Sequence, residues 1–478
     1  MNGRADASDR KKVVIAGASG FIGQHLGRAL NDHYDVIGLS RVSKPAGTSG
    51  IKEWRTCDLL SLVDTEAALD GADFAYFLVH SMMPSTRLSQ GDFWDFDLIA
   101  ADNFARAARE KGIRQIIYLG GLVPSSPTLS HHLRSRFEVE QALRSHSVPL
   151  TTLRAGLVIG PEGSSFQTIF RLVERLPILC CPSWGDTVTH PIALSDIVQL
   201  LKFCLENERT YNGTFDVGGP ELMSYRSMLQ SISRCMGLKK PVVHVPINHT
   251  RLIQRFVTLV TGAPRELVEP LIESLKYPML ARDRRLQEMA NLPGMGFDES
   301  VCLAKQVLQS QGPADPLAYQ TGKGRTVSSF TVRSVQRFPV PAGKNAEWIA
   351  REYLTWLPKW MNILLAIEEC ENEVFRISFR PVHRLPLLIL QRSPNRSWPD
   401  RQLFYVKGGL LSKTEGRGRL EFRKVLDGEA VLAAIHDYRP ALAWPIYKFS
   451  QAKLHLVIMR SFKRHLEKVA RKKEKSAV

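Results

Sequence analysis

From Lys12 onward, short continuous apolar runs alternate with stretches whose apolar positions recur at helical spacing. Residues 13–16, 35–39, 74–79, 115–119 and 150–154 read as strands, and 21–31, 97–111 and 133–146 as helices. Strands that are apolar throughout, rather than at every second position, predict a parallel sheet covered on both faces. Right-handed crossovers then give a doubly wound α/β fold. After Gly160 the pattern loosens into helical and irregular pieces, among them 251–277, which predicts a small cap and carries this domain from 12 to 311. The Pro- and Gly-rich residues 312–326 read as a linker. From 327 to 470, strands (330–336, 375–379, 418–422, 431–436) mix with helices (346–357, 443–469), an α+β pattern, and 471–478 form a basic tail.

The 478 residues are 44% hydrophobic and 23% charged, which excludes wholesale disorder and leaves ample material for more than one core. No uncharged apolar run is long enough to span a bilayer, and the first twelve residues contain no apolar leader stretch, so a cytoplasmic protein is expected. Seven cysteines, an odd number without a C-x-x-C pair, point to reduced thiols. Of the net charge of +17, the part from Arg325 onward holds +15, with 29 Lys and Arg against 14 Asp and Glu. A basic half suggests an anionic partner, such as an anionic membrane touched peripherally; a solvated surface is the plain alternative. Nucleic acid is disfavoured, because charge is its only support.

The chemistry begins at Gly17-Ala18-Ser19-Gly20-Phe21-Ile22-Gly23, a G-x-x-G-x-x-G that follows a strand and opens a helix. Gly17 permits the tight turn, Gly20 lets the backbone approach a pyrophosphate, and Gly23 lets helix and strand lie close. The helix N-terminus offers free N–H groups to the phosphates. The second strand ends at Ser40-Arg41, where a site for NAD(H) carries an acidic residue. A hydroxyl and a guanidinium suit a 2′-phosphate instead, so NADP(H) is preferred over NAD(H).

These residues resemble the atypical or extended short-chain dehydrogenase/reductases, including the NmrA-like and epimerase-like branches. Cys57-Asp58-Leu59, Leu78-Val79-His80, Leu119-Gly120-Gly121 and Arg154-Ala155-Gly156 extend the likeness, as do the stretches 191–196 and 215–220. The resemblance implies that Asp58 and Leu59 contact adenine, that Leu78, Val79 and His80 run along the cofactor, and that Gly120, Ala155 and Gly156 lie on the nicotinamide side. It also exposes a departure. The family's catalytic Tyr falls on His132 and its Lys on Arg136, while the Ser position falls near Gly121-Leu122. Residues four apart share a helix face. His132 is therefore the candidate proton donor, made a poor acid by Arg136, and Arg136 a candidate for ribose hydroxyls or a substrate anion. Tyr319 and Lys323 have the family's spacing but fall in the linker, and are read as chance. No metal site is expected. Phe166, Ile169, Phe170 and Val173, at helical spacing, either line an apolar pocket or are core, with core preferred.

Residues 327–470 resemble the START-like (SRPBCC-type) helix-grip domains, through 332–336, 408–411, 438–440 and the closing stretch 444–466. That implies a sheet curled around a long helix and a lipophilic ligand. The sequence thus predicts an NADP(H)-dependent oxidoreductase acting on an apolar small molecule. The rival is a non-catalytic nucleotide-binding sensor or assembly scaffold, like the NmrA-like regulators or the accessory subunit of respiratory complex I.

Overall fold

The computed structural model describes residues 10–80, 88–126, 129–246, 249–310, 331–413 and 417–476. The expected linker, with Tyr319 and Lys323, lies outside them. The described residues fall into two compact units. One holds 10–80 and those from 97 to 310; the other holds 88–96 and those from 331 onward.

The first unit is built on a parallel sheet, seven strands wide among the described residues. Its order is Thr214–Val217, Leu150–Ala155, Gln115–Gly121, Phe74–Phe77, Lys12–Ala16, Asp35–Ser40, Glu53–Thr56. Val14 pairs in register with Ile37 on one side and Ala75 on the other. The chain thus builds outward from the Lys12–Ala16 strand in one direction, then returns to its other side, and this change of direction is where open α/β sheets bind ligands. Helices α1 (Phe21–Leu30), α2 (Leu62–Leu69), α3 (Phe93–Glu110) and α4 (His131–Arg144) alternate with these strands; the first residues of α3 belong to the second unit. The doubly wound α/β fold expected from the apolar runs is what forms, because Val13, Ile15, Val36, Phe74, Tyr76, Ile117 and Leu153 are all buried in one core.

Beyond it come α5 (Ser164–Arg175), α6 (Leu194–Cys204), α7 (Tyr225–Cys235), α8 (Thr250–Thr261), α9 (Arg265–Ser274), α10 (Arg285–Met289) and α11 (Phe297–Ser310). Ile197, Leu200 and Leu201 of α6 join the sheet's core. Helices α5, α7, α8, α9 and α11 make a second core of their own. Phe166, Ile169, Phe170 and Val173 are buried in it. One expectation is overturned here: Cys235 and Cys302 form a disulfide. Residues 67 apart in sequence are brought to a Cα separation of 5.8 Å because α7 packs on α11, a proximity that no cysteine spacing reveals.

The second unit is α+β. Its sheet runs Leu365–Cys370, Val374–Phe379, Val382–Arg392, Arg401–Gly408, Arg419–Val425, Ala430–Tyr438, Val332–Pro339, all antiparallel. The short strand Leu88–Gln90, from the far side of the sequence, adds in parallel to Val332–Ser334. Helix α12 (Ala346–Trp360) and the C-terminal helices α13 (Trp444–Phe449) and α14 (Gln451–Ser476) complete it. The single helix expected over 443–469 is interrupted at Ser450, whose φ of −116° and ψ of −86° are not helical. Met459, Phe462 and Leu466 are buried against α12 and the sheet, whereas Ile446, Phe449 and Val457 are exposed. Among the described residues, no helix is long and apolar enough to cross a membrane.

Candidate functional site

The buried strand Lys12–Ala16 ends at Gly17, whose φ of +92° is left-handed backbone that side chains rarely adopt. A Cβ there would lie 2.9 Å from the Leu78 carbonyl oxygen. The turn closes when the Gly20 N–H donates to the Gly17 carbonyl at 2.9 Å. Gly20 is then the N-cap of α1, with no side chain capping the helix. At Gly23 a Cβ would be 2.3 Å from the Gly17 carbonyl oxygen, so α1 approaches the turn as closely as backbone allows. The result is a cradle of backbone amides at the helix start, walled by glycines, which fits the pyrophosphate of a dinucleotide.

The cradle opens into a cleft of about 420 Å³. Gly17, Gly20, Phe21, Ile22, Gly23, Leu78, His80, Gly120, His132, Arg136, Ala155 and Gly156 line it. Leu119, Gly121, Ser165, Thr189 and Tyr225, which the sequence had not singled out as site residues, line it too. Ala18 is buried beneath the loop, and the Ser19 carbonyl accepts from the Gln24 side chain at 3.0 Å. Ser40, Arg41, Asp58, Leu59 and Val79 lie off this cleft. Ser40 is buried, and its hydroxyl oxygen accepts the Val42 N–H at 3.3 Å; Arg41 is exposed. An Asp58 carboxylate oxygen accepts the Leu60 N–H at 3.3 Å, and the Leu59 carbonyl accepts from the Asn103 side chain at 2.8 Å.

Two imidazoles meet in the cleft. The rings of His80 and His132 are 5.1 Å apart, centre to centre. His80 Nδ1 is 3.2 Å from a carboxylate oxygen of the buried Asp97, the first α3 residue in this unit. His80 Nε2 is buried with no hydrogen-bond partner. Burial, then the Arg136 charge, pushes the His80 pKa down to about 4 against the opposing pull of Asp97. Burial first, then His80 and then Arg136, holds His132 well below the ordinary histidine range. Both rings are therefore neutral at pH 7, and Arg136, the cause expected from helix spacing, ranks behind burial. The Arg136 backbone carbonyl accepts the Tyr118 hydroxyl at 3.2 Å. The neighbouring Arg154 is held by Glu140 through two contacts of 2.9 and 3.0 Å.

The sequence missed the Asp97–His80 pair. Nothing at a separation of 17 residues, between a strand end and a long helix, indicates that the two side chains face each other.

Comparison with known proteins bears on the first unit. Residues 13–212 match the model of the NAD dependent epimerase/dehydratase family. Auxiliary protein GraX of Staphylococcus aureus is 30% identical over 113 residues, 23% of this chain and 37% of that protein. The ceramide reductase of Caulobacter vibrioides is 29% identical over 205 residues, 41% of this chain and 62% of that protein. The chain thus matches less than two thirds of the length of either relative. Triphenylmethane reductase of Citrobacter sp., solved with NADP(H), superposes with a TM-score of 0.50 at 19% identity, covering 61% of this chain and 99% of that one, a likeness of fold. The cradle and sheet order are those of a doubly wound nucleotide-binding fold, and residues 13–212, less than half of the chain, are similar to the NAD dependent epimerase/dehydratase family.

Proposed function

We propose that the first unit binds NADP(H) and exchanges hydride with an apolar small molecule. The observation that carries this reading is the glycine-walled cradle at the change of strand direction, which leads directly into a cleft holding two neutral imidazoles. The ceramide reductase similarity supports a lipophilic substrate. Gly17, Gly20 and Gly23 would hold the pyrophosphate, Arg41 the 2′-phosphate, Asp58 and Leu59 the adenine, and Gly120, Ala155 and Gly156 the nicotinamide side. A bound nicotinamide supplies or takes up the hydride.

The chain's own residues handle the proton. Asp97 accepts from His80 Nδ1–H, which leaves Nε2 as a buried, unpartnered acceptor on a side chain that lines the cleft. A substrate hydroxyl can lose its proton there when the substrate is oxidised, and a carbonyl can recover it in the reverse direction. His132 donates a ring N–H to the same oxygen, and burial, reinforced by Arg136, keeps both rings uncharged before the proton moves. In single-turnover measurements, His80→Gln and His132→Ala are each expected to lower the rate by about 10²-fold while NADPH affinity changes little. A rate that survives both changes removes the imidazoles from the chemistry.

The 2′-phosphate assignment has its own test. Arg41→Asp is expected to weaken NADPH relative to NADH by about 10- to 100-fold, the loss of a charge-assisted contact, read by fluorescence titration. An unchanged ratio sinks the NADP(H) preference.

The rival reading is a nucleotide-binding sensor without turnover. It is favoured by the same pKa directions, since neither imidazole is protonated at neutral pH to act as a strong acid. Bound NADPH that is never oxidised by a panel of lipophilic carbonyls, enones and quinones would favour the sensor. For the second unit, a cavity of about 190 Å³ between the sheet, α12 and α14 supports the START-like reading and an apolar ligand.

A further inference from the structure

A second cavity in the first unit, of about 300 Å³, lies among α5, α7, α8 and α9. Its walls are almost wholly apolar, Leu172, Leu176, Met228 and Leu229 among them. An apolar concavity of this size, among helices that otherwise pack into one core, has the dimensions and lining of a small-molecule site.

Its two ends differ. At one end Ile169, Tyr225 and Leu271 line both this cavity and the cofactor cleft, so the two share a wall. At the other, Leu252 and Phe256 of α8 line the cavity and yet are 55% and 43% exposed, so it opens to solvent beside that helix. A space separated from the reaction cleft by the Ile169, Tyr225 and Leu271 side chains, and open at an apolar mouth, suits a long, thin molecule with one reactive end.

We infer that this cavity holds the unbranched aliphatic chain of an amphiphilic substrate whose hydroxyl or carbonyl end reaches the cleft past Ile169, Tyr225 and Leu271. The inference rests on the hydride-transfer reading for the identity of the reactive end, but the chain site itself requires no nucleotide. A wall that offers dispersion contacts and no charge gains affinity with every methylene it covers. The chain then supplies binding energy remote from the reacting carbon, and that energy orients the polar end.

The test measures binding without turnover, on the full chain with no nucleotide present. Trp184 lines the cavity and serves as the reporter. The quench of Trp184 is taken as the difference between wild type and Trp184→Phe, which excludes signal from tryptophans near the second unit's cavity. A terminally brominated dodecanol is expected to quench it at a concentration at least about tenfold lower than brominated hexanol does. Leu176→Glu, at a half-buried position of the wall, is expected to weaken that quench about tenfold or more, its fold checked by an unchanged Tm. Three results overturn the inference: no dependence on chain length, a brominated sterol that quenches as strongly, or wild-type quenching in a folded Leu176→Glu. Because no nucleotide is present, a chain-length-dependent quench in a protein that fails to bind NADPH upholds this site and removes only the hydride-transfer reading.

Discussion

Gly23→Ala is expected to abolish nucleotide binding. The new methyl would sit 2.3 Å from the Gly17 carbonyl oxygen, 2.8 Å from Ala18 Cα and 2.9 Å from the Gly17 carbonyl carbon. All three are backbone atoms that cannot swing aside, so either α1 lifts off the turn or the turn itself shifts. In both cases the amides at the helix start no longer converge on one point, and the charge-assisted contacts to phosphate are lost together. Overpacking of this kind also costs about 1–3 kcal/mol of stability. Gly20→Ala is the graded comparison, since its Cβ would stand 3.2 Å from the same oxygen. NADPH fluorescence titration of the two variants, with thermal unfolding alongside, reads the effect. If Gly23→Ala binds within about threefold of wild type, this cradle is not the phosphate site.

The largest stability effect is expected in the second unit, from Glu421→Gln. Arg401 and Arg423 each donate through Nε to the same carboxylate oxygen of Glu421, at 2.7 and 2.6 Å, and His436 Nε2 is 3.6 Å from the other oxygen. All four side chains are buried. Burial alone would raise the Glu421 pKa, but Arg401 and Arg423 overcome it and hold the carboxyl well below the ordinary range. Removing the charge takes from Arg401 and Arg423 the carboxylate they share in the interior, a loss of about 3–5 kcal/mol. Urea unfolding at pH 7 checks this, and a change below about 1 kcal/mol would show the cluster to be solvated in solution.

The pH dependence separates this carboxylate from two histidines of the same unit, His436 beside it and His455 on α14. Glu421 titrates lower folded than unfolded, so its contribution is present above the unfolded value and is lost only as pH falls through the depressed folded one. His436 and His455 are pushed down to about 4, by burial first, and stay neutral in the fold while the unfolded chain takes up protons near 6.5. Stability therefore falls as pH drops from about 6.5 to about 4, and Glu421→Gln is expected to retain that slope.

The sequence made the centre of the first unit legible, since strands buried on both faces are apolar at every position and glycines at a cradle have no substitute. It concealed the edges. Glu53–Thr56 reads Glu-Trp-Arg-Thr and Thr214–Val217 is four residues long, so neither shows an apolar run. In the second unit, Val382–Arg392 contains Pro386, which interrupts the strand signal, and its pairing with Val374–Phe379 is bulged beside that residue. At the candidate site, His132 and Arg136 were visible as helix neighbours. Asp97, His80 Nε2 and Tyr225 were not, because their convergence depends on tertiary packing between elements far apart in sequence.

The strand Leu88–Gln90 leaves the ribosome roughly 240 residues before Val332, the residue at which its pairing begins. At about 5–20 residues per second that is a wait of roughly 10–50 s. Until then this segment lacks the strand it pairs with, and the finished sheet draws on parts of the chain far apart in sequence. A fragment cut at the linker would be made with that edge of its sheet open, and would be a template for association with other copies.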